Sequence, residues 1–150
     1  MKNLWYNIMR SYIKIGLFFL HKNIKVFGNQ NIPKKGAILF VGNHQNALID
    51  AILIPTTTNR IIYFLTRASA FANKQVTNFL SSLNMIPVYR IRDGISTIEK
   101  NLESFELCFE VLKNEGAIEI FAEGEHHLKR KILPLKKGFA RIILGTLKKY

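Results

Sequence analysis

Four short apolar runs, each bounded by turn signals and separated by helical patterns, limit what this chain can fold into. They are AILFVGN (37–43), IIYFLTR (61–67), MIPVYRI (85–91) and AIEIFAEG (117–124). Such runs of aliphatic, β-branched and aromatic residues read as buried strands. Pro87 cannot donate to a ladder, so the third belongs at a sheet edge or begins at that point. Between the runs, NALIDAILIP (46–55) fits a short helix ended by Pro55, and ANKQVTNFLSSL (72–83) fits another. Ser96 and Glu99 form a capping box. Ile98, Leu102, Phe105, Phe109 and Leu112 then share one helical face, and Gly116 offers a left-handed stop. IKVFG (24–28) is a short strand or an entry segment, NIPKKG (31–36) a turn, and GFARIILGTLKKY (138–150) a last helix. Strands alternating with helices predict an α/β layered domain, with a mostly parallel central sheet flanked by helices.

The 150 residues suffice for one domain with its own core, and a hydrophobic content of 48% excludes a disordered chain. Lysine and arginine total 22 against 10 acidic residues, a net charge of +12 that attracts phosphate-bearing partners. The one cysteine, Cys108, excludes an internal disulfide and a cysteine-rich zinc site. Residues 1–23 are aromatic and aliphatic, but Arg10 and Lys14 interrupt them, and a spanning helix needs about 20 mostly apolar residues. Two placements fit this helix. It packs on the core, or it lies in the headgroup layer with Trp5, Tyr6 and Tyr12 at the interface and its cations towards anionic lipid. Its apolar character on most sides favours the interface.

Polar chemistry gathers where the strands end. His44 follows the first run, Arg90 and Arg92 close the third, and Glu123 follows the fourth. Ligand sites of open α/β sheets lie at the carboxyl ends of parallel strands. Parallel strands would bring His44, Asp50, Arg90 and Glu123 to one rim.

These residues carry a resemblance. NHQNALID, NMIPVYR, FAEGEHHLKR and LPLKKGFARI resemble, in order and spacing, the blocks of the glycerolipid acyltransferase family, which includes 1-acylglycerol-3-phosphate acyltransferases. The resemblance runs from about residue 24 to the end of the sequence, with residues 24–150 as the acyltransferase domain. It implies transfer of an acyl group from acyl-CoA or acyl-carrier protein to a lysophospholipid hydroxyl, without an acyl-enzyme and without a cofactor. His44 would be the general base, helped by a histidine pKa near neutrality. Asp50 would orient its ring. Arg90 would grip the acceptor phosphate bidentately. Asn43, Glu123 and Gly124 would shape the acceptor site, and His126, Arg130 and Lys136 would add to phosphate binding. The implied partners are an anionic membrane surface, the lysophospholipid and the thioester donor, at the cytoplasmic face of the inner membrane.

The chain departs from the family pattern in several places. His44 and Asp50 are separated by one residue more than usual, Asn84 replaces a glycine, and Ala122 replaces a proline. The pair must straddle a loop-to-helix corner, which can absorb the extra residue. Family members usually continue beyond the equivalent of Tyr150, so the domain is expected to be incomplete at its C-terminus. His126 and His127 have no metal-ligand spacing, and no metal is expected. Other readings are another acceptor, such as glycerol 3-phosphate or an aminolipid, or an inactive membrane-surface relative. A nucleic-acid module fits worst, because the aromatic residues sit in apolar runs rather than among cations.

Overall fold

The computed structural model describes residues 2–46, 48–89, 97–124 and 131–150. In chain order they form α1 (Lys2–Leu20), β1 (Ile38–Gly42), α2 (Ile49–Thr57), β2 (Ile62–Arg67), α3 (Lys74–Ser82), β3 (Met85–Val88), α4 (Thr97–Lys113), β4 (Ala117–Phe121) and α5 (Gly138–Lys149). The strands make one sheet in the order β1-β4-β2-β3, and every pairing is parallel. This is the expected α/β layered architecture. The Pro87 strand is at an edge, where its missing N–H costs no ladder bond. Residues 24–28 are an irregular entry segment, with Gly28 left-handed at φ 78.

Alternation along the strands divides the core into two layers. Ile86 and Ile118 pack with Cys108 and Leu112 of α4 and Ile142 of α5. On the other face, Ile62, Phe64 and Ala117 pack with Tyr6 of α1 and Ile54 of α2. The Tyr6 hydroxyl accepts a hydrogen bond from the Ile62 amide at 3.1 Å, and Arg10 donates to the Thr58 carbonyl at 3.3 Å. Helix α1 is therefore docked on the sheet. It also leaves Leu4, Ile8, Tyr12, Ile15, Phe18 and Phe19 exposed, and Phe19 is 82% exposed. Among the described residues, no helix is long and apolar enough to cross a membrane.

Three local expectations are corrected. Pro55 does not end α2: it lies inside the helix, which runs on to Thr57. The Thr56 and Thr57 hydroxyls donate back to the Ile52 and Leu53 carbonyls, each at 2.6 Å, so both hydroxyls are satisfied within this last turn. The inward face of α4 is also rotated from the apolar stripe. Leu102 is 58% exposed, whereas Ser104 is buried and donates to the Pro87 carbonyl at 2.7 Å. Asn101 accepts from the Tyr89 amide and donates to the Tyr89 carbonyl, so polar side chains of α4 satisfy the open backbone of the edge strand. The left-handed residue after α4 is Glu115, at φ 56, and not Gly116. Gly116 is needed for space instead, because a Cβ there would stand 2.6 Å from the Val111 carbonyl oxygen. Ser96 of the expected capping box lies outside the described residues.

Arg60 acts at the opposite end of the sheet. Its guanidinium donates to the carbonyls of Pro33, Gly36 and Glu115, tying the entry loop to the turn before β4. This cation has a structural task away from the carboxyl ends of the strands.

Candidate active site

The site is built where β1 and β4 end side by side. Gly42 pairs with Phe121, so the residues after each strand leave the sheet at the same level. A Cβ on Gly42 would meet the Phe121 ring at 3.4 Å, an ordinary contact distance, so the ring lies directly beside this strand end. The chain then turns through Asn43 and His44 towards α2. The His44 ring stacks on Phe121, with centroids 4.0 Å apart and planes 11° from parallel. Its Nδ1 lies 3.4 Å from Asp50 Oδ2, and the histidine side chain is 15% exposed.

Asp50 is in the first turn of α2, where the helix dipole favours a negative charge. Its Oδ2 accepts from the Asn46 amide at 2.6 Å, while its own amide donates to the Asn46 carbonyl at 3.0 Å. This reciprocal pair closes the corner between loop and helix. The extra residue between His44 and Asp50 is thus accommodated, and the two side chains meet. Asn46 and Phe121, which build this geometry, were not singled out from sequence. Asn46 sits four residues before the aspartate, a spacing that suggests such a closure.

After β4 the chain bends through Ala122, Glu123 and Gly124. Glu123 is buried, at 1% exposure. Gly124 is left-handed at φ 72, and its amide donates to the Phe121 carbonyl at 3.0 Å. A Cβ there would come within 3.2 Å of Lys136 Cγ. The Lys136 amide donates to the Ala122 carbonyl at 2.7 Å, which brings this lysine back over the turn. His44, Asp50, Glu123, Gly124 and Lys136 therefore all belong to the carboxyl end of β1 and β4, with Asn43 exposed beside them. Arg90, Arg92, His126 and Arg130 lie outside the described residues. Tyr89, immediately before Arg90, is the residue held at both backbone groups by Asn101.

Sequence reasoning also missed Glu119. It is 1% exposed in the middle of β4, and burial followed by the negative charge of Asp50 pushes its carboxyl up to about 8. The sequence signal was one charged residue inside the apolar strand AIEIF. Cys108 is fully buried between the sheet and α4, and burial pushes its thiol up to about 12. It is not poised as a nucleophile. Among the described residues, no three His, Cys, Asp or Glu side chains gather as a metal site requires. A histidine with one ring nitrogen turned to a carboxylate suits proton abstraction from a hydroxyl.

The site can now be set against known proteins. The family model described as acyltransferase matches residues 23–147. A 1-acyl-sn-glycerol-3-phosphate acyltransferase of Borreliella burgdorferi is 30% identical over 141 residues, covering 93% of this chain and 53% of that protein. Glycerol-3-phosphate O-acyltransferase 2 of Saccharomyces cerevisiae is 31% identical over 102 residues, covering 59% of this chain and 14% of that protein. The crystal structure of the 1-acyl-sn-glycerophosphate acyltransferase PlsC from Thermotoga maritima has the same fold. It matches with a TM-score of 0.74 at 23% identity, covering 97% of this chain and 55% of that one. The chain spans about half the length of these two bacterial proteins. On a family match along most of its length, the chain belongs to the acyltransferase family.

Proposed function

We propose that this protein transfers a fatty acyl group from a thioester, acyl-CoA or acyl-carrier protein, to the free hydroxyl of a lysophospholipid such as 1-acylglycerol 3-phosphate. The observation that carries this reading is the His44–Asp50 pair, 3.4 Å apart at the strand exit beside Glu123. With Nδ1 turned to Asp50, Nε2 is the nitrogen that takes the hydroxyl proton. The acceptor oxygen attacks the thioester carbonyl, forming the new C–O bond. The tetrahedral adduct collapses, the C–S bond breaks, and the proton held by His44 passes to the departing thiolate. Asp50 stabilises the imidazolium between these steps. Glu123 and Gly124 shape the floor for the glycerol portion, and Lys136 offers positive charge to the acceptor phosphate. Arg90, His126 and Arg130 are proposed to share that anionic load, and Asn43 borders the acceptor site.

The exposed apolar side chains of α1 and the net charge of +12 support work at an anionic membrane surface, on its cytoplasmic face. The name of the Borreliella relative supports 1-acylglycerol 3-phosphate as acceptor, and that of the yeast relative makes glycerol 3-phosphate the natural competitor. The test is thiol release from long-chain acyl-CoA in anionic liposomes, with each acceptor added separately. Phosphatidic acid formed from lysophosphatidic acid, at a higher kcat/KM than any product from glycerol 3-phosphate, supports the reading. Equal or reversed preference overturns the proposed acceptor.

A further inference from the structure

Helix α1 is apolar on two sides, and the sheet uses only one of them. Tyr6 and Leu17 are buried and Ile13 is half-buried, so these three face inward. Leu4, Ile8, Tyr12, Ile15 and Phe19 recur at helical spacing and are all exposed. At about 100° per residue, Ile8 and Ile15 stand roughly 160° around the helix from Tyr6 and Leu17. From Leu4 to Phe19 the outer stripe is roughly 22 Å long, at about 1.5 Å per residue. A helix that only covers a core needs one apolar face, and a continuous exposed one marks a docking surface.

The structure changes which side chains are on offer. Of the aromatic residues that the sequence would set at an interface, Tyr6 is buried and accepts from the Ile62 amide, and Trp5 donates to the Ser82 hydroxyl at 3.1 Å. Tyr12, 71% exposed, remains on the outer stripe. The stripe runs into the segment after the helix, where Ile24, Val26 and Phe27 are exposed as well. Ile24 and Val26 line a cleft with Lys14 and Leu17 of α1 and the last threonines of α2.

Charge indicates what the stripe meets. Residues 1–49 hold seven lysines and arginines and no aspartate or glutamate, and the first acidic residue is Asp50. Lys14, Lys22 and Lys25 are exposed beside the stripe and after its end. Among the described residues, no helix is long and apolar enough to cross a membrane. An apolar stripe bordered by cations, with no anion near it in sequence, fits a bilayer that carries acidic lipids. The acyl region takes the apolar side chains, and the phosphates take the lysines.

We propose that α1 docks the protein flat on an anionic bilayer through Leu4, Ile8, Tyr12, Ile15 and Phe19, with the segment 24–27 entering the lipid beside Phe19. The inference rests on the reading of the protein as one that works at an anionic surface, and it assigns the face that meets that surface. Helices α1 and α2 cover one face of the sheet, and this face is turned to the lipid. Helices α4 and α5 cover the other face and are turned away from it. The exposed Leu144 and Leu147 of α5 therefore take no part in lipid binding.

The experiment floats the protein with phosphatidylcholine vesicles, with and without phosphatidylglycerol. The double variant Ile15→Ser, Phe19→Ser removes two side chains of the stripe, and Leu147→Ser removes a comparably exposed one from α5. Circular dichroism confirms that each is folded. The wild type and Leu147→Ser are expected to bind phosphatidylglycerol vesicles alike, and the double variant about a hundredfold more weakly. Binding falls with added salt and in vesicles without phosphatidylglycerol. On vesicles, a spin label at Phe19→Cys is shielded from a water-soluble relaxant and one at Leu147→Cys is not, while the buried Cys108 stays unlabelled. Equal binding by all three proteins overturns the proposal, as does a larger loss in Leu147→Ser. A wild type that ignores vesicles overturns it too, and so does one that dimerises through the stripe and keeps that dimer in lipid. Acyl transfer to lysophosphatidic acid in detergent is measured separately. A protein that binds vesicles as predicted and transfers no acyl group fails the acyltransferase reading and keeps this one.

Discussion

The ring of His44 lies flat on the ring of Phe121, 4.0 Å between centroids, so the last residue of β4 supports the proposed base at the exit of β1. The contact links fold to site directly. Two adjacent parallel strands end level, one supplying the histidine's loop and the other its platform.

Phe121→Leu keeps the apolar volume and removes the flat surface. Aromatic pairing of this kind contributes about 1 kcal/mol. The variant is expected to fold as the wild type does, with kcat reduced about fivefold and KM nearly unchanged. Steady-state kinetics beside a thermal melt check this, and an unchanged kcat removes the ring from the account.

Asp50→Asn tests the partner. The amide keeps the size but can neither stabilise an imidazolium nor fix the same tautomer. A fall in kcat of at least about a hundredfold is expected, with the acceptor KM moving much less. A loss confined to KM would place Asp50 in acceptor binding instead.

Tyr6→Phe removes the oxygen that accepts from the buried Ile62 amide at the start of β2. Leaving that N–H unsatisfied is expected to lower stability by about 1 to 2 kcal/mol, read by denaturant unfolding. Unaltered stability would mean that α1 docks on the sheet through apolar packing alone.

Glu119 also predicts a pH dependence of folding. Its carboxyl is raised from 4.5 to about 8 in the folded protein, so the unfolded chain gives up the proton first. Its contribution is therefore most favourable below pH 4.5, declines as pH rises, and levels off above about 8. Glu119→Gln removes that decline. The variant should gain on the wild type across this window, by up to about 4 kcal/mol at its upper end. Parallel unfolding curves at all pH values would show that Glu119 is not held protonated by the fold.

Much of this architecture was legible in the sequence, for a physical reason that also explains what was missed. Local pattern reports burial and turn chemistry, so the four apolar runs located the four strands among the described residues, and of the two places Pro87 allowed, an edge or a strand start, β3 is at the edge. Pattern does not report long-range polar partners. The open backbone at Pro87 and Tyr89 draws Ser104 and Asn101 inward, which turns α4 away from the face its apolar stripe predicts. Pro55 was read as a stop because proline removes a helical hydrogen bond, yet α2 tolerates that loss and runs on to Thr57. In the site, His44 and Asp50 were found through their place after a strand and through the family resemblance, although their separation departs from the family pattern, and their meeting depends on the closure with Asn46. Glu119 was passed over because a glutamate in a strand is ordinarily solvated, and its burial comes from α1 and α2 closing over that face.

The most direct measurement is acyl transfer from long-chain acyl-CoA to lysophosphatidic acid in anionic liposomes, wild type beside His44→Ala, with both shown to be folded by circular dichroism. The account predicts thiol release matched by phosphatidic acid in the wild type, and a loss of about a hundredfold to ten-thousandfold in the variant. Equal turnover by the two proteins would contradict the assignment of His44 as the base, and with it the proposed mechanism.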